Sequence, residues 1–141
     1  MFTLTSEHSF DAAHFLHGYR GKCSNIHGHR WRVVVEICSD RLKDEDEQTR
    51  GMLVDFHTLK ADIKEMVDYF DHSLIIEKGT LMEKTYEALK EEGIRLVEVD
   101  FRSTAENFSK YFYDEMKKKG YRVKKVSVYE TPNNLATYCE E

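Results

Sequence analysis

The run Arg30-Trp31-Arg32-Val33-Val34-Val35-Glu36-Ile37-Cys38 constrains the chain most, because β-branched and aromatic residues dominate it and Trp31, Val33, Val35 and Ile37 fall on alternate positions. Side chains of an extended backbone point to opposite sides in turn, so this pattern predicts a strand with one buried face. Phe2 to Ala12 has the same extended character, with Phe2, Leu4, Phe10 and Ala12 on one parity. Apolar sheet faces must be covered, and the chain offers helices to cover them. Leu59, Ile63, Met66, Val67 and Phe70 make one helical stripe, with Asp55 or Thr58 as its cap. Ala105, Phe108, Phe112 and Met116 make another. Ser103-Thr104-Ala105-Glu106 has capping-box form ahead of it, and Lys117-Lys118-Lys119-Gly120 marks its end. A weaker helical pattern runs from Leu81 to Glu92, with Met82, Tyr86 and Leu89 on one side and Gly93 as its stop.

Shorter apolar runs complete the pattern: 51–55, joined to the 30–38 strand by a long hairpin over 44–50, then 94–99, 121–130 and 135–139. Pro132-Asn133-Asn134 supplies the last turn. The order β-β-α-(α-β)-α-β-β points to an α+β fold, a four-stranded antiparallel sheet with helices on one face. At 141 residues, without repeats or a Pro- or Gly/Ser-rich linker, one domain spanning 1–141 is expected. The 21 Lys+Arg against 26 Asp+Glu leave a net charge of −5, which disfavours a nucleic-acid binder. The acidic stretch Lys43-Asp44-Glu45-Asp46-Glu47-Gln48 reads as a solvated loop tip. Neither a membrane-spanning run nor a secretory leader is legible, so a cytoplasmic location is expected. Three cysteines in such a setting do not suggest a disulfide framework.

The chemistry concentrates in histidines. Of His8, His14, His17, His27, His29, His57 and His72, five fall within the first 29 residues. Residues two apart on a strand share a face, so His27 and His29 can present two imidazoles to one point, and Gly28 leaves room for a close approach. Both share the parity of Trp31 and Val33, and His14 shares that of Phe10 and Ala12. Imidazoles ending apolar strand faces need their nitrogens satisfied. Three histidines on zinc with the fourth position open is a catalytic arrangement, with His8 and His17 competing with His14 for the third place. Cys23, after Lys22, is a base or nucleophile if its thiolate is stabilised, or else a zinc ligand itself. Cys38 and Cys139 read as inert thiols. Asp71-His72 is either a carboxylate–imidazole proton shuttle or a helix C-terminal cap. Glu130, on the parity of Val126 and Val128, is either a solvated strand end or a bidentate acceptor for a planar two-donor edge. No dinucleotide-binding glycine fingerprint and no His-Glu-x-x-His helix is present.

In chain order these pieces are Phe10-Asp11-Ala12-Ala13-His14, Cys23-Ser24-Asn25-Ile26-His27-Gly28-His29, Leu53-Val54-Asp55-Phe56, Asp71-His72, Ser103-Thr104-Ala105-Glu106-Asn107 and Glu130-Thr131-Pro132. Together they resemble the 6-pyruvoyl-tetrahydropterin synthase / 6-carboxytetrahydropterin synthase superfamily, from about residue 2 to 138. The three residues between Cys23 and His27 resemble the carboxy branch, which serves queuosine and deazapurine synthesis, whereas the pyruvoyl branch has a longer spacer. The resemblance implies the tunnelling fold, with subunits forming a barrel-centred trimer and two trimers stacking into a hexamer. It implies that His14, His27 and His29 hold Zn2+ and that Cys23 is the general base. Asp71 and His72 would relay a proton from a neighbouring subunit. Glu130 would anchor a pterin ring, with Thr104 and Glu106 lining its pocket. The implied substrate is 7,8-dihydroneopterin triphosphate, and the implied product 6-carboxy-5,6,7,8-tetrahydropterin, with triphosphate and acetaldehyde released. Arg20, Lys22, Arg30 and Arg32 are the nearby cations for the triphosphate. The alternatives are the pyruvoyl product or a related side-chain cleavage, and a non-catalytic zinc- or pterin-binding module. Three departures stand out: the long stretch 79–102 with its extra helix and strand, Ala105 where the pyruvoyl branch has a second Thr, and Arg30 where a small polar residue is common.

Overall fold

In the computed structural model, which describes residues 1–141, two long strands dominate: β1 (Phe2–His14) and β2 (His27–Ser39). They pair antiparallel along their whole length, from Phe2↔Ser39 to His14↔His27. The alternation expected of them holds, since Phe10, Ala12, Trp31, Val33, Val35 and Ile37 are all buried. Helices α1 (Phe56–Asp68) and α3 (Ala105–Lys118) cover that face. Their stripes, Leu59, Ile63, Met66 and Val67 on α1 and Phe108, Phe112 and Met116 on α3, join the strands in one cluster of 22 buried residues. Phe10 sits at its centre, its ring 5.9 Å from Trp31, 5.8 Å from Phe70 and 6.3 Å from both Phe108 and Phe112. Aromatic pairs at such spacings add about 0.5–1.5 kcal/mol each beyond the area they bury.

The sheet has six strands, not four, in the order β4-β3-β1-β2-β5-β6, and the α+β class holds. β5 (Val123–Thr131) pairs antiparallel with β2, and β6 (Asn134–Tyr138) with β5. The other side is parallel: β3 (Ser73–Glu77) runs with β1, and β4 (Leu96–Val99) with β3. Residues 51–55 make no strand; they form a turn into Asp55, whose side chain accepts the amide of His57 at 2.8 Å and caps α1. Leu53 and Val54 instead pack against the core's rim.

The strand that the pattern did not announce, β3, is a short apolar run buried on both sides. Ile75 joins the main core, while Leu74 and Ile76 face the reverse side with Phe15. There they meet Leu81, Tyr86 and Leu89, of which Tyr86 and Leu89 lie on α2 (Glu83–Glu91). Parallel strands need a crossover, and α2 provides it over the face opposite α1 and α3. The stretch 79–102 therefore extends the sheet and places one helix on the reverse face, where helices on a single face were expected. Gly93, with φ 81°, turns the chain from α2 toward β4.

The cap of α3 is also shifted by one residue. Thr104 accepts the amide of Asn107 at 3.3 Å, and Ser103 is fully buried and engaged elsewhere.

Candidate metal centre and active site

The β1–β2 register sets His14 opposite His27, and Ala12 opposite His29. Period two then turns all three imidazoles to the helix-covered face, as parity with Trp31 and Phe10 requires. Their ring centroids lie 4.6 Å (His14–His27), 5.2 Å (His14–His29) and 4.9 Å (His27–His29) apart. β5 brings Glu130 to the same point: its Oε1 is 3.0 Å from His29 Nε2 and 3.5 Å from His14 Nε2. One donor atom from each of these four residues falls within 4.8 Å of every other.

Second contacts fix which nitrogen two of the rings offer. His14 Nδ1 is 2.9 Å from the Ser103 carbonyl and 3.0 Å from its Oγ, and His27 Nδ1 is 2.7 Å from the Asn25 carbonyl. A carbonyl only accepts, so Nδ1 carries the proton and Nε2 of the neutral ring keeps a lone pair. Nε2 of His14, His27 and His29 is buried without an aligned hydrogen bond, Glu130 Oε1 being close but out of line. Each such orphan costs about 1–3 kcal/mol. One divalent cation would satisfy all three. Imidazoles whose far nitrogen is tied to a carbonyl, joined by a carboxylate, are the donor set that such an ion takes. Burial holds His29 below the usual imidazole pKa, against the opposing charge of Glu130, and so favours the ligating neutral form. Glu130 is held below the usual carboxylate range by its close imidazole neighbours, first His14. A proton on Nε2 would occupy the place a metal would take, so the two compete there.

The competing sequence assignments separate. His8 is bonded to Asp68 of α1 at 2.8 Å, and neither it nor His17 belongs to the cluster. Cys23 is not among the converging donors either; it is half-buried in a single 3-10 turn (Lys22–Ser24), its carbonyl accepting the amide of Leu16 at 2.9 Å. Cys38 is buried and Cys139 exposed.

Asp71 and His72 lie beyond the C-cap Tyr69, and the Asp71 amide donates to the Asp68 carbonyl at 3.1 Å. Asp71 Oδ1 accepts the amide of Asp11 at 2.8 Å, and Oδ2 meets His72 Nδ1 at 2.8 Å. The amide of His72 returns to the Asp11 carbonyl at 2.6 Å. This clamp holds His72 at φ 55°, a left-handed conformation rare for a residue with a side chain and frequent at working sites. Asp71 sits below the ordinary carboxylate range, chiefly through the Asp11 amide. The cleft of about 400 Å³ beside His72 is lined in part by Asp11, Ala13, Gly28 and Arg30. Ala12 and His29 border it as well, so it adjoins the histidine cluster.

Thr104 and Glu106 open α3 directly after Ser103, Thr104 half-buried and Glu106 exposed. Sequence reasoning missed Ser103 as the residue that orients His14. It also missed the contact of Glu130 with the histidines. Both depend on tertiary neighbours, and no local pattern encodes them.

A family model described as 6-pyruvoyl tetrahydropterin synthase matches residues 3–141. A Haemophilus influenzae protein named 6-carboxy-5,6,7,8-tetrahydropterin synthase is 32% identical over 143 residues, covering 99% of this chain and 100% of its own. One of that name from Rickettsia bellii is 33% identical over 139 residues, covering 94% of this chain and 96% of its own. The solved structure of Caenorhabditis elegans 6-pyruvoyl tetrahydropterin synthase superposes with a TM-score of 0.67 at 26% identity, over 99% of this chain and 96% of that one. With its fold, its histidine cluster and this match along nearly its whole length, the chain belongs to the 6-pyruvoyl tetrahydropterin synthase family.

Proposed function

We propose that this protein is a zinc-dependent lyase of the carboxy branch. It converts 7,8-dihydroneopterin triphosphate and water to 6-carboxy-5,6,7,8-tetrahydropterin, acetaldehyde and triphosphate, for queuosine and deazapurine synthesis. The observation that carries this reading is the convergence of three orphaned histidine nitrogens with Glu130 beside an open cleft. Relatives named 6-carboxy-5,6,7,8-tetrahydropterin synthase support the carboxy product. His14, His27 and His29 would hold the zinc, which when bound polarises the substrate's side-chain oxygens as a Lewis acid. Cys23 takes a side-chain carbon proton as the base. Glu130 reads the two-donor edge of the pterin, with Thr104 and Glu106 at the pocket wall.

Asp71 orients His72, which returns a proton. As the family resemblance implies, they serve a neighbouring subunit's site. The outer strands β4 and β6 each have one unpaired edge, which supports strand-to-strand assembly into a trimer or hexamer of single-domain subunits. No helix is long and apolar enough to cross a membrane, and a cytoplasmic location is part of the same proposal.

The test is product analysis with metal-loaded protein. Equal amounts of acetaldehyde and the 6-carboxy pterin are expected. Cys23→Ala should lower turnover by about 10²–10⁴-fold. A 6-pyruvoyl product without acetaldehyde would move the chain to the other branch. Tight pterin binding without turnover would make it a binding module.

A further inference from the structure

Glu130 faces two ways. Its Oε1 lies within the four-donor cluster, 3.0 Å from His29 Nε2. The same residue lines an open cleft of about 380 Å³ with Arg32, Tyr129, Thr131 and Pro132. Its side chain is 30% exposed, against 1% for His14 and 19% for His29, so it has the most room to move of these three. The backbone beneath it is loosely registered, since the β5–β6 pairing slips between Tyr129 and Thr131. Two of the histidines have their outer nitrogen held by a carbonyl. The carboxylate of Glu130 has no basic neighbour within 4 Å other than the cluster's imidazoles.

Resting on the pterin reading above, we propose that Glu130 is a two-position ligand. In the resting protein its carboxylate is the metal's fourth donor. An incoming pterin ring draws it off, because a planar edge with two N–H groups takes both carboxylate oxygens at once. Charge-assisted contacts are exchanged for charge-assisted hydrogen bonds, so the exchange is close to balanced and reversible. The site opens only when its substrate is present. Linkage makes the effect reciprocal: a loaded metal weakens binding of the bare ring, and the ring loosens the metal.

The experiment uses cobalt(II) in the metal site and a pterin lacking the C6 side chain, which has no hydroxyl to offer the ion. Saturating wild-type protein with this ring should change the visible cobalt spectrum. Glu130→Gln should start from an altered spectrum, stay unmoved by the ring and hold cobalt about tenfold more weakly in chelator competition. Equal cobalt affinity in the two proteins would overturn the donor role. An unchanged wild-type spectrum, with the ring bound by its own fluorescence, would overturn the exchange. A ring that binds neither protein would overturn both the pterin reading and the exchange, while chelator competition still scores the donor role. If Glu130→Gln does not fold, the wild-type spectrum alone decides the exchange.

Discussion

The β1–β2 ribbon has two ends, and they differ in kind. At the Phe2↔Ser39 end the chain leaves for the loop over 40–55, where Arg41, Lys43, Asp44 and Asp46 line a cleft of about 660 Å³. Pairs there sit in water, Arg50 and Glu47 being 65% and 88% exposed, and such contacts are worth about 0–1 kcal/mol. At the His14↔His27 end the adjoining clefts are smaller, about 380 and 400 Å³, yet three nitrogens are buried and unsatisfied. The size of a cleft reports how loosely a loop is drawn. The chemistry is marked instead by polar atoms whose burial nothing in the chain justifies.

The strongest challenge to this contrast is to damage both ends. His27→Ala should weaken metal binding by more than about 100-fold and bring turnover to background. Replacing Asp44, Glu45, Asp46 and Glu47 with serine should leave both within about twofold. Metal analysis and steady-state rates measure this, and a loop variant as impaired as His27→Ala would erase the distinction.

A finer challenge is Ser103→Ala. It removes one acceptor from His14 Nδ1 and leaves the carbonyl at 2.9 Å. A loss of about tenfold in metal affinity is expected, read by chelator competition. An unchanged affinity would mean that the carbonyl alone orients the ring.

The smallest effect is at Asp71. Its folded-state pKa lies below its unfolded value of about 3.9. Its charge therefore contributes stability at pH values above 3.9, and that contribution fades as pH falls through the folded value. The melting-temperature gap between wild type and Asp71→Asn should be constant near neutrality and shrink below about pH 4. A gap that persists into strong acid would show that the clamp on Asp11 does not use the charge.

What could be read from residues alone follows from periodicity. β1, β2 and the stripes of α1 and α3 were legible because one buried face repeats at a fixed spacing. The convergence of His27 and His29 was legible for the same reason. β3 was not, because Leu74-Ile75-Ile76 is short, shows no alternation and is buried on both faces. α2 could be found from Tyr86 and Leu89, but the face it covers depends on the parallel pairing of β3 and β4. Ser103 and Thr104 are equally good caps on paper. A contact with His14, 89 residues away, assigns Ser103 another task. Glu130 was legible only as a strand-end carboxylate, solvated or used, and its nearness to His29 needs the β2–β5 register.

The sheet is two leaves of unequal strength. β1 grips β2 from end to end, but meets β3 only at Ala12↔Ser73 and Ala13↔Leu74. On its reverse face the outer leaf carries a small cluster of its own, Phe15, Leu74 and Ile76, while Ile75, Val97 and Val99 join it to the main core. Local opening is therefore expected first along that two-rung seam, where backbone pairing is thinnest. Asp71 and His72 sit on the seam itself, while the imidazole cluster is mounted on the rigid leaf.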